Sequence, residues 1–428
     1  MISFLPSLPP ALHYPAYRTY WLGTLASVSG FQIVRFAQFW LMFQLTGSPL
    51  ALGYVGLAQG FPGIVLNLVG GVFADKVDQR RLIMVTQMVN ASLIFLLATL
   101  TLVDVVREWH VLVLAFLAAA VNAFDEPARQ ALYPHLIDRR AMTSAVALNA
   151  GIWQGNRIVA PAVAGLIIAV AGTAAAFYLA GVGFLIMAAV IISLRIPPFT
   201  RAPHGNPAQD MLEGLSFIRK NSIFSFLIGM TFFNSFFGMA YVMLMPIFAV
   251  DILDVGAKGQ GMLLGMGGAG ALLNTLWIGA RGSVPHRGLA IIGGAVLFGL
   301  AVAAFALTAK FVGSLALAMA LMFFMGVFNS LYMISIQSSL QIMVPDRMRG
   351  RVMGFYGMTW SIMPLGGLQA SALTSLFTAP IAIAAGGLAV ALFALGPASV
   401  NSTVRNLSSH LTPVEEEAAG AADPAKAR

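Results

Sequence analysis

Apolar runs of about 20 residues recur along nearly the whole chain, and each is long enough to cross a hydrocarbon core of about 30 Å as a helix. A membrane barrel would instead show strands of about ten residues with alternating apolar and polar side chains. The runs here are longer and continuously apolar, which predicts an all-α membrane protein. Composition agrees, at 59% hydrophobic and 9% charged residues with a mean hydropathy of +0.84. A soluble chain carries roughly a quarter charged residues, so lipid is the solvent for much of this one. The pattern places twelve transmembrane helices near residues 18–44, 50–73, 81–103, 111–133, 144–170, 173–194, 223–250, 260–280, 288–308, 312–338, 352–374 and 376–397.

A formal charge of +8 could mark a nucleic-acid binder, but its distribution points elsewhere. With the helices so placed, alternate loops and the span ends that meet them hold 19 of the 24 Lys and Arg on one side, among them Lys76, Arg80, Arg81, Arg139, Arg140, Arg201, Arg347, Arg349 and Arg351. The other side has Arg107, Lys258 and Lys310, while Arg35 and Arg157 fall inside spans. That asymmetry is the positive-inside signature; it predicts a multi-pass protein of a bacterial-type inner membrane with both termini cytoplasmic. Nucleic acid is not an expected partner. The first 16 residues lack the basic start and cleavage site of a secretory signal, so the first apolar run is expected to stay as a helix. There are no cysteines, which removes disulfides, thiolate nucleophiles and Cys metal sites.

The longest interior polar stretch, 196–221, begins as a Pro- and Gly-containing linker. It continues with Met211, Leu212, Leu215 and Ile218 on one helical face, the pattern of a short amphipathic helix at the membrane surface. It separates an N-terminal six-helix half (1–195) from a C-terminal one (222–398), with a polar disordered tail (399–428) carrying Asn401 and Asn406 in chance glycosylation triplets. The halves echo each other: Gln130-x-x-x-Pro134 with Asp138, Arg139 and Arg140 recurs as Gln341-x-x-x-Pro345 with Asp346, Arg347, Arg349 and Arg351, as a parallel repeat would.

The loop between the second and third helices reads Gly71-Val72-Phe73-Ala74-Asp75-Lys76-Val77-Asp78-Gln79-Arg80-Arg81. Taken alone, it could be an ordinary basic inner loop. Its spacing resembles the major facilitator superfamily signature G-x-x-x-D-[RK]-x-G-[RK]-[RK], matched by Gly71, Asp75, Lys76 and Arg80, with Asp78 in place of the second glycine and Gln79 in place of a basic residue. Pro127-Ala128-Arg129-Gln130, Glu213-Gly214-Leu215 and Val344-Pro345-Asp346-Arg347-Met348-Arg349-Gly350-Arg351-Val352 look like the branch containing macrolide, multidrug and siderophore (enterobactin-type) exporters. The resemblance covers about residues 15–400 and implies the two-half, twelve-helix fold. It further implies a cytoplasmic gate of Gly71, Asp75, Lys76 and Arg80, partnered by an acid of the fourth helix and the start of the eleventh. In the fifth helix, Pro161 and Gly165 fit the family's antiporter pattern, with Ala160 and Ala164 retaining only small size; generic helix packing accounts for the segment about as well.

Charged groups inside a bilayer cost about 2.5–3.5 kcal/mol each on insertion scales and usually face a polar interior. At about 1.5 Å per residue, Arg35 lies about 22 Å above the inner face and Asp125 about 12 Å, too far apart to pair. Arg129, at i+4 from Asp125, is the simpler partner and joins the gate candidates. Adjacent Asp125 and Glu126 repel, which suits either acid to carrying a proton; a gate role for one of them is the other reading, and both are compatible. Gln32, Arg35 and Gln38 share a face of the first helix, which lines the central cavity in the resembled fold; with Asn122, Arg157, Phe236 and Tyr332 they are the substrate-binding candidates. A structural arginine bonded to backbone carbonyls is the plain alternative for Arg35. The second half is rich in aromatics, including Phe232, Phe233 and Tyr241, and holds most of the 22 Met, giving adaptable apolar surface.

Gly265-Met266-Gly267-Gly268-Ala269-Gly270 matches G-x-G-x-x-G by letter only, since it lies in an apolar helix with no preceding strand. No phosphate loop and no metal-ligand spacing of His is present, so neither cofactor nor metal is expected, nor an enzyme. The combined reading is a monomeric secondary transporter exporting small amphipathic molecules with protons as partners. Siderophore or anionic-metabolite export, and a lipid flippase or non-transport membrane protein, are the alternatives.

Overall fold

The structure, a computed structural model, describes residues 9–74, 77–194, 207–281 and 287–400. All regular structure among these residues is helical, and nine helical stretches are long and apolar enough to span a bilayer. The α-helices of the described residues begin with α1 (Pro15–Thr46), α2 (Pro49–Ala74), α3 (Gln79–Leu102), α4 (Glu108–Leu132) and α5 (Met142–Ser193). Then follow α6 (Pro207–Lys220), α7 (Ser222–Phe233), α8 (Tyr241–Ile247), α9 (Gly256–Arg281), α10 (Arg287–Phe311), α11 (Leu315–Met343), α12 (Asp346–Trp360), α13 (Met363–Leu376) and α14 (Ala379–Val400). The predicted linker residues 196–206 and the tail from 401 onward, with Asn401 and Asn406, lie outside the described residues.

Three predicted boundaries differ. The fifth and sixth spans run together as α5, bent where Gly172 takes φ 85°, a conformation a side chain would resist. The single span expected at 223–250 is divided: α7 passes through a π turn, Asn234–Gly238, before α8, and a second π turn, Phe248–Ile252, follows. The span expected at 352–374 is divided into α12 and α13 at Ser361–Ile362. Apolar runs report burial in lipid but carry no record of where a ladder of hydrogen bonds slips by a residue.

The chain forms two compact units, one of residues 1–203 with 249–265 and one of 204–248 with 266–428. In the first, α1 and α5 cross closely because glycines remove side chains from the contact: a methyl on Gly30 would land 2.6 Å from the Ala180 carbonyl oxygen, and one on Gly183 2.5 Å from that of Ala26. Gly261 meets the Pro161 carbonyl of α5 in the same way, so the 265–270 glycines belong to a packing helix. In lipid, where apolar side chains gain nothing by leaving their solvent, such close approach is a main source of helix association. In the second unit Gly299 and Gly387 face each other across α10 and α14. There α6 docks on α12, with Glu213 paired to Arg351 and Gly214 beneath Phe355.

Candidate functional site

Near its middle, helix α3 carries Thr86, Gln87 and Asn90, polar side chains about one turn apart that are all buried. Opposite them α4 presents Asp125 and Arg129, one helical turn apart and 5% and 7% exposed. Arg129 Nε donates to Asp125 Oδ2 at 2.5 Å, and Thr86 Oγ1 and Gln87 Nε2 donate to Oδ1 at 2.5 and 3.0 Å. Arg129 Nη2 donates to Ser27 Oγ of α1 at 2.8 Å, and Ser27 Oγ donates to Gln87 Oε1 at 2.8 Å. Asp125, Arg129, Ser27 and Gln87 thus close a ring in which each bond has a donor and an acceptor, tying α1, α3 and α4 together. The Tyr20 hydroxyl adds a 3.4 Å bond to the Arg129 carbonyl. A turn away, Asn90 Nδ2 donates to Asn122 Oδ1 at 3.1 Å, so this substrate candidate is engaged across the same helix pair.

The neighbouring acid has a different setting. Glu126 is half-buried and accepts one bond, 3.0 Å from Gln130 Nε2 on its own helix. Two adjacent carboxylates therefore differ in kind: one is fixed by three donors from two helices, the other is held by a single neutral amide.

Of the loop residues, Asp75 and Lys76 lie outside the described residues, and Gly71 is described only as part of α2. Arg80 turns its guanidinium to the end of α5, donating to the Ile191 and Ile192 carbonyls at 3.1 and 2.7 Å. Asp78 acts within its own turn, where its Oδ1 accepts from the Arg80 and Arg81 backbone N–H groups at 2.9 and 3.4 Å and caps α3. That is a physical reason for an acid where the resembled signature has glycine.

On α1, Gln38 is buried and accepts from Gln59 Nε2 of α2 at 2.7 Å, while Gln32 and Arg35 are half-buried. The Arg35 guanidinium lies 5.8 Å from the Phe31 ring centre, and no carboxylate among the described residues pairs with it. Arg157 on α5 is exposed and near enough to repel Arg35. In the second unit Phe236 is half-buried and stacks on Phe232 with centres 5.8 Å apart. Tyr332 is fully buried against Phe298, so in this conformation it supports the wall behind other side chains.

Between α1 and α5 lies a cavity of about 730 Å³, walled by Trp21, Leu25 and Ser29 on one side and by Gly151, Gly155 and Asn156 on the other. Its polar groups are already satisfied: Ser29 Oγ to Asn156 Oδ1 at 2.7 Å, Asn156 Nδ2 to the Ile152 carbonyl at 3.0 Å and Trp21 Nε1 to the Leu148 carbonyl at 3.3 Å. Among the described residues no cluster of His, Asp and Glu is arranged to hold a metal ion.

Long apolar helices around a buried charged network define a multi-pass membrane protein whose intramembrane charges mark a functional site. Over residues 7–421 the chain matches the transmembrane secretion effectors, and it belongs to that family of major facilitator transporters. Macrolide efflux protein A of Streptococcus pyogenes is 25% identical over 293 residues, covering 66% of this chain and 71% of the relative. The multidrug efflux pump Tap of Mycolicibacterium fortuitum is 31% identical over 155 residues, covering 35% and 37%. The crystal structure of the nucleoside transporter NupG shares the fold, with a TM-score of 0.69 at 12% identity over 90% of this chain and 98% of that one. The chain is a transporter of small molecules, not an enzyme.

Ser27, Thr86 and Gln87 are not evident as site residues from sequence because none is charged. The signal available was the clustering of three polar residues, 86, 87 and 90, about one helical turn apart within a long apolar span.

Proposed function

We propose that this transporter exports small amphipathic organic molecules in exchange for protons, by alternating access, in a bacterial-type inner membrane with both termini cytoplasmic. The efflux proteins among its relatives support the direction. The observation that carries the coupling is the contrast between the two acids of α4. The Asp125 carboxylate accepts three hydrogen bonds and balances the buried Arg129, and breaking such a buried pair costs several kcal/mol. Asp125 and Arg129 therefore act as a fixed pair holding α1, α3 and α4 in one arrangement. Glu126 forfeits little on protonation and is the exchangeable site. Gly71, Asp75, Lys76 and Arg80 form the cytoplasmic gate by resemblance, and the grip of Arg80 on the end of α5 gives that gate a fixed anchor.

Flux into proteoliposomes under an imposed pH gradient tests this with a panel of dyes and macrolides. Wild type is expected to accumulate at least one compound only when the gradient is present. Glu126→Gln should bind the same compound yet lose the gradient dependence, with flux falling about 10²-fold or more, the scale of a lost proton-transfer group. Full coupling in Glu126→Gln would remove this acid as the proton site, and absence of gradient-driven flux in folded wild type would remove antiport.

One observation favours a second reading. A half-buried cation on α1 with no carboxylate partner among the described residues suits an anionic group on the substrate, as in siderophore or other anionic-metabolite export. Arg35→Gln should then weaken an anionic substrate by about tenfold or more while sparing neutral ones.

A further inference from the structure

Resting on the exporter reading, we propose that the α1–α5 cavity holds the apolar body of the transported molecule, and that Gly151 and Gly155 set how large that body can be. The cavity, about 730 Å³, falls within the 300–1,000 Å³ of small-molecule pockets. Its composition is that of a subsite for shape rather than for charge. Trp21 is half-buried, with its N–H tied to the Leu148 carbonyl, so the indole is fixed and offers an apolar surface. Ser29 and Asn156 satisfy each other at one edge, leaving no buried group that demands a polar ligand atom.

At other helix-packing glycines of this unit space is filled: a side chain at Gly30, Gly165 or Gly183 would strike backbone, while Gly47, Gly172 and Gly256 answer to a positive φ instead. Gly151 and Gly155 differ, since a Cβ built on either meets nothing within 4 Å. Close packing therefore does not require glycine at either position. Their shared effect is to keep one wall of the cavity flat and the volume open. Along α1 the same face continues from Leu25 and Ser29 to Gln32, next to Arg35. A ligand seated here would lay a bulky ring system against Trp21 and the glycine wall, with its polar edge directed along α1 toward Gln32 and Arg35. The occupant is thus a ring-bearing amphiphile, not a lipid tail.

The test uses full-length protein in proteoliposomes, with erythromycin as the bulky amphiphile and ethidium as the compact one, after wild type has been shown to transport both. A graded series, Gly155→Ala then Gly155→Leu, fills the cavity stepwise, with Gly151→Leu as an independent second site. Gly279→Leu, on α9 and equally free of contacts at its Cβ, is the control. The expected result is a loss in apparent erythromycin affinity that grows with side-chain size, reaching about tenfold at Leu, with ethidium changed less than about twofold. Tryptophan quenching by erythromycin should also be lost in Trp21→Phe. The inference is overturned if the Leu variants keep the wild-type substrate profile. It is overturned equally if they lose only co-purifying phospholipid, which would make the cavity a lipid seat. Failure of wild type to transport either compound would sink the exporter reading itself, a separate outcome.

Discussion

Gln87 carries no charge, yet it bonds to both ends of the buried network: its amide N–H holds Asp125 and its carbonyl accepts from Ser27. A ring of this kind is sensitive to which member is lost. Asp125→Asn removes the counter-charge and leaves Arg129 buried with its ion pair gone, so a loss of about 3–5 kcal/mol is expected. Gln87→Leu strands one donor's acceptor and one acceptor's donor and should cost about 1–3 kcal/mol. Removing both charges together, as Asp125→Asn with Arg129→Met, should destabilise less than the sum of the two single changes, because no unpaired charge remains. Thermal unfolding of the purified protein in one detergent checks all four variants. Strict additivity of the double variant would mean that Asp125 and Arg129 are not coupled in the folded protein.

At the scale of elements, the α1–α5 pair contains both a closed and an open glycine contact. Gly30→Ala drives a methyl into the Ala180 carbonyl and should force the helices apart at a cost of about 1–3 kcal/mol. Gly155→Ala meets open space on the same helix pair and should be neutral or stabilising by up to about 1 kcal/mol through helix propensity. Melting temperatures that fell equally for both would refute the distinction. This level was only partly legible in the sequence. Apolar run length placed the helices because lipid imposes it residue by residue, and the Gly71–Arg81 and Val344–Val352 segments carried the superfamily. The i+4 spacing of Asp125 and Arg129 gave their pairing, since it lies within one helix. Ser27 and Gln87 were invisible because their role depends on the rotation of α1 and α3 about their axes, which one-dimensional spacing does not contain. The π turn at Asn234–Gly238 was invisible for a related reason: it follows from how a helix fits its neighbours, not from a breaker residue.

At the scale of the whole molecule, the division of basic residues predicts an orientation that is open to direct measurement. Insertion scales charge about 2.5–3.5 kcal/mol for placing one Lys or Arg at the centre of a span, and 19 of the 24 such residues fall on one predicted side against three on the other. Inverting the protein would carry most of these across the bilayer, so one orientation should dominate. The chain has no cysteine, so a single introduced thiol reports one position without background. Val105, in the exposed turn between α3 and α4, and Arg139, in the exposed turn between α4 and α5, stand at opposite ends of α4. In intact cells a membrane-impermeant maleimide should label Val105→Cys and spare Arg139→Cys, and permeabilising the inner membrane should make both react. Reversed labelling would place both termini outside. It would also turn the basic loops, and the gate proposed for Asp75 and Arg80, away from the cytoplasm, so that export from the Trp21 cavity would no longer follow. Equal labelling of both sites in intact cells would indicate a dual orientation that the charge division forbids.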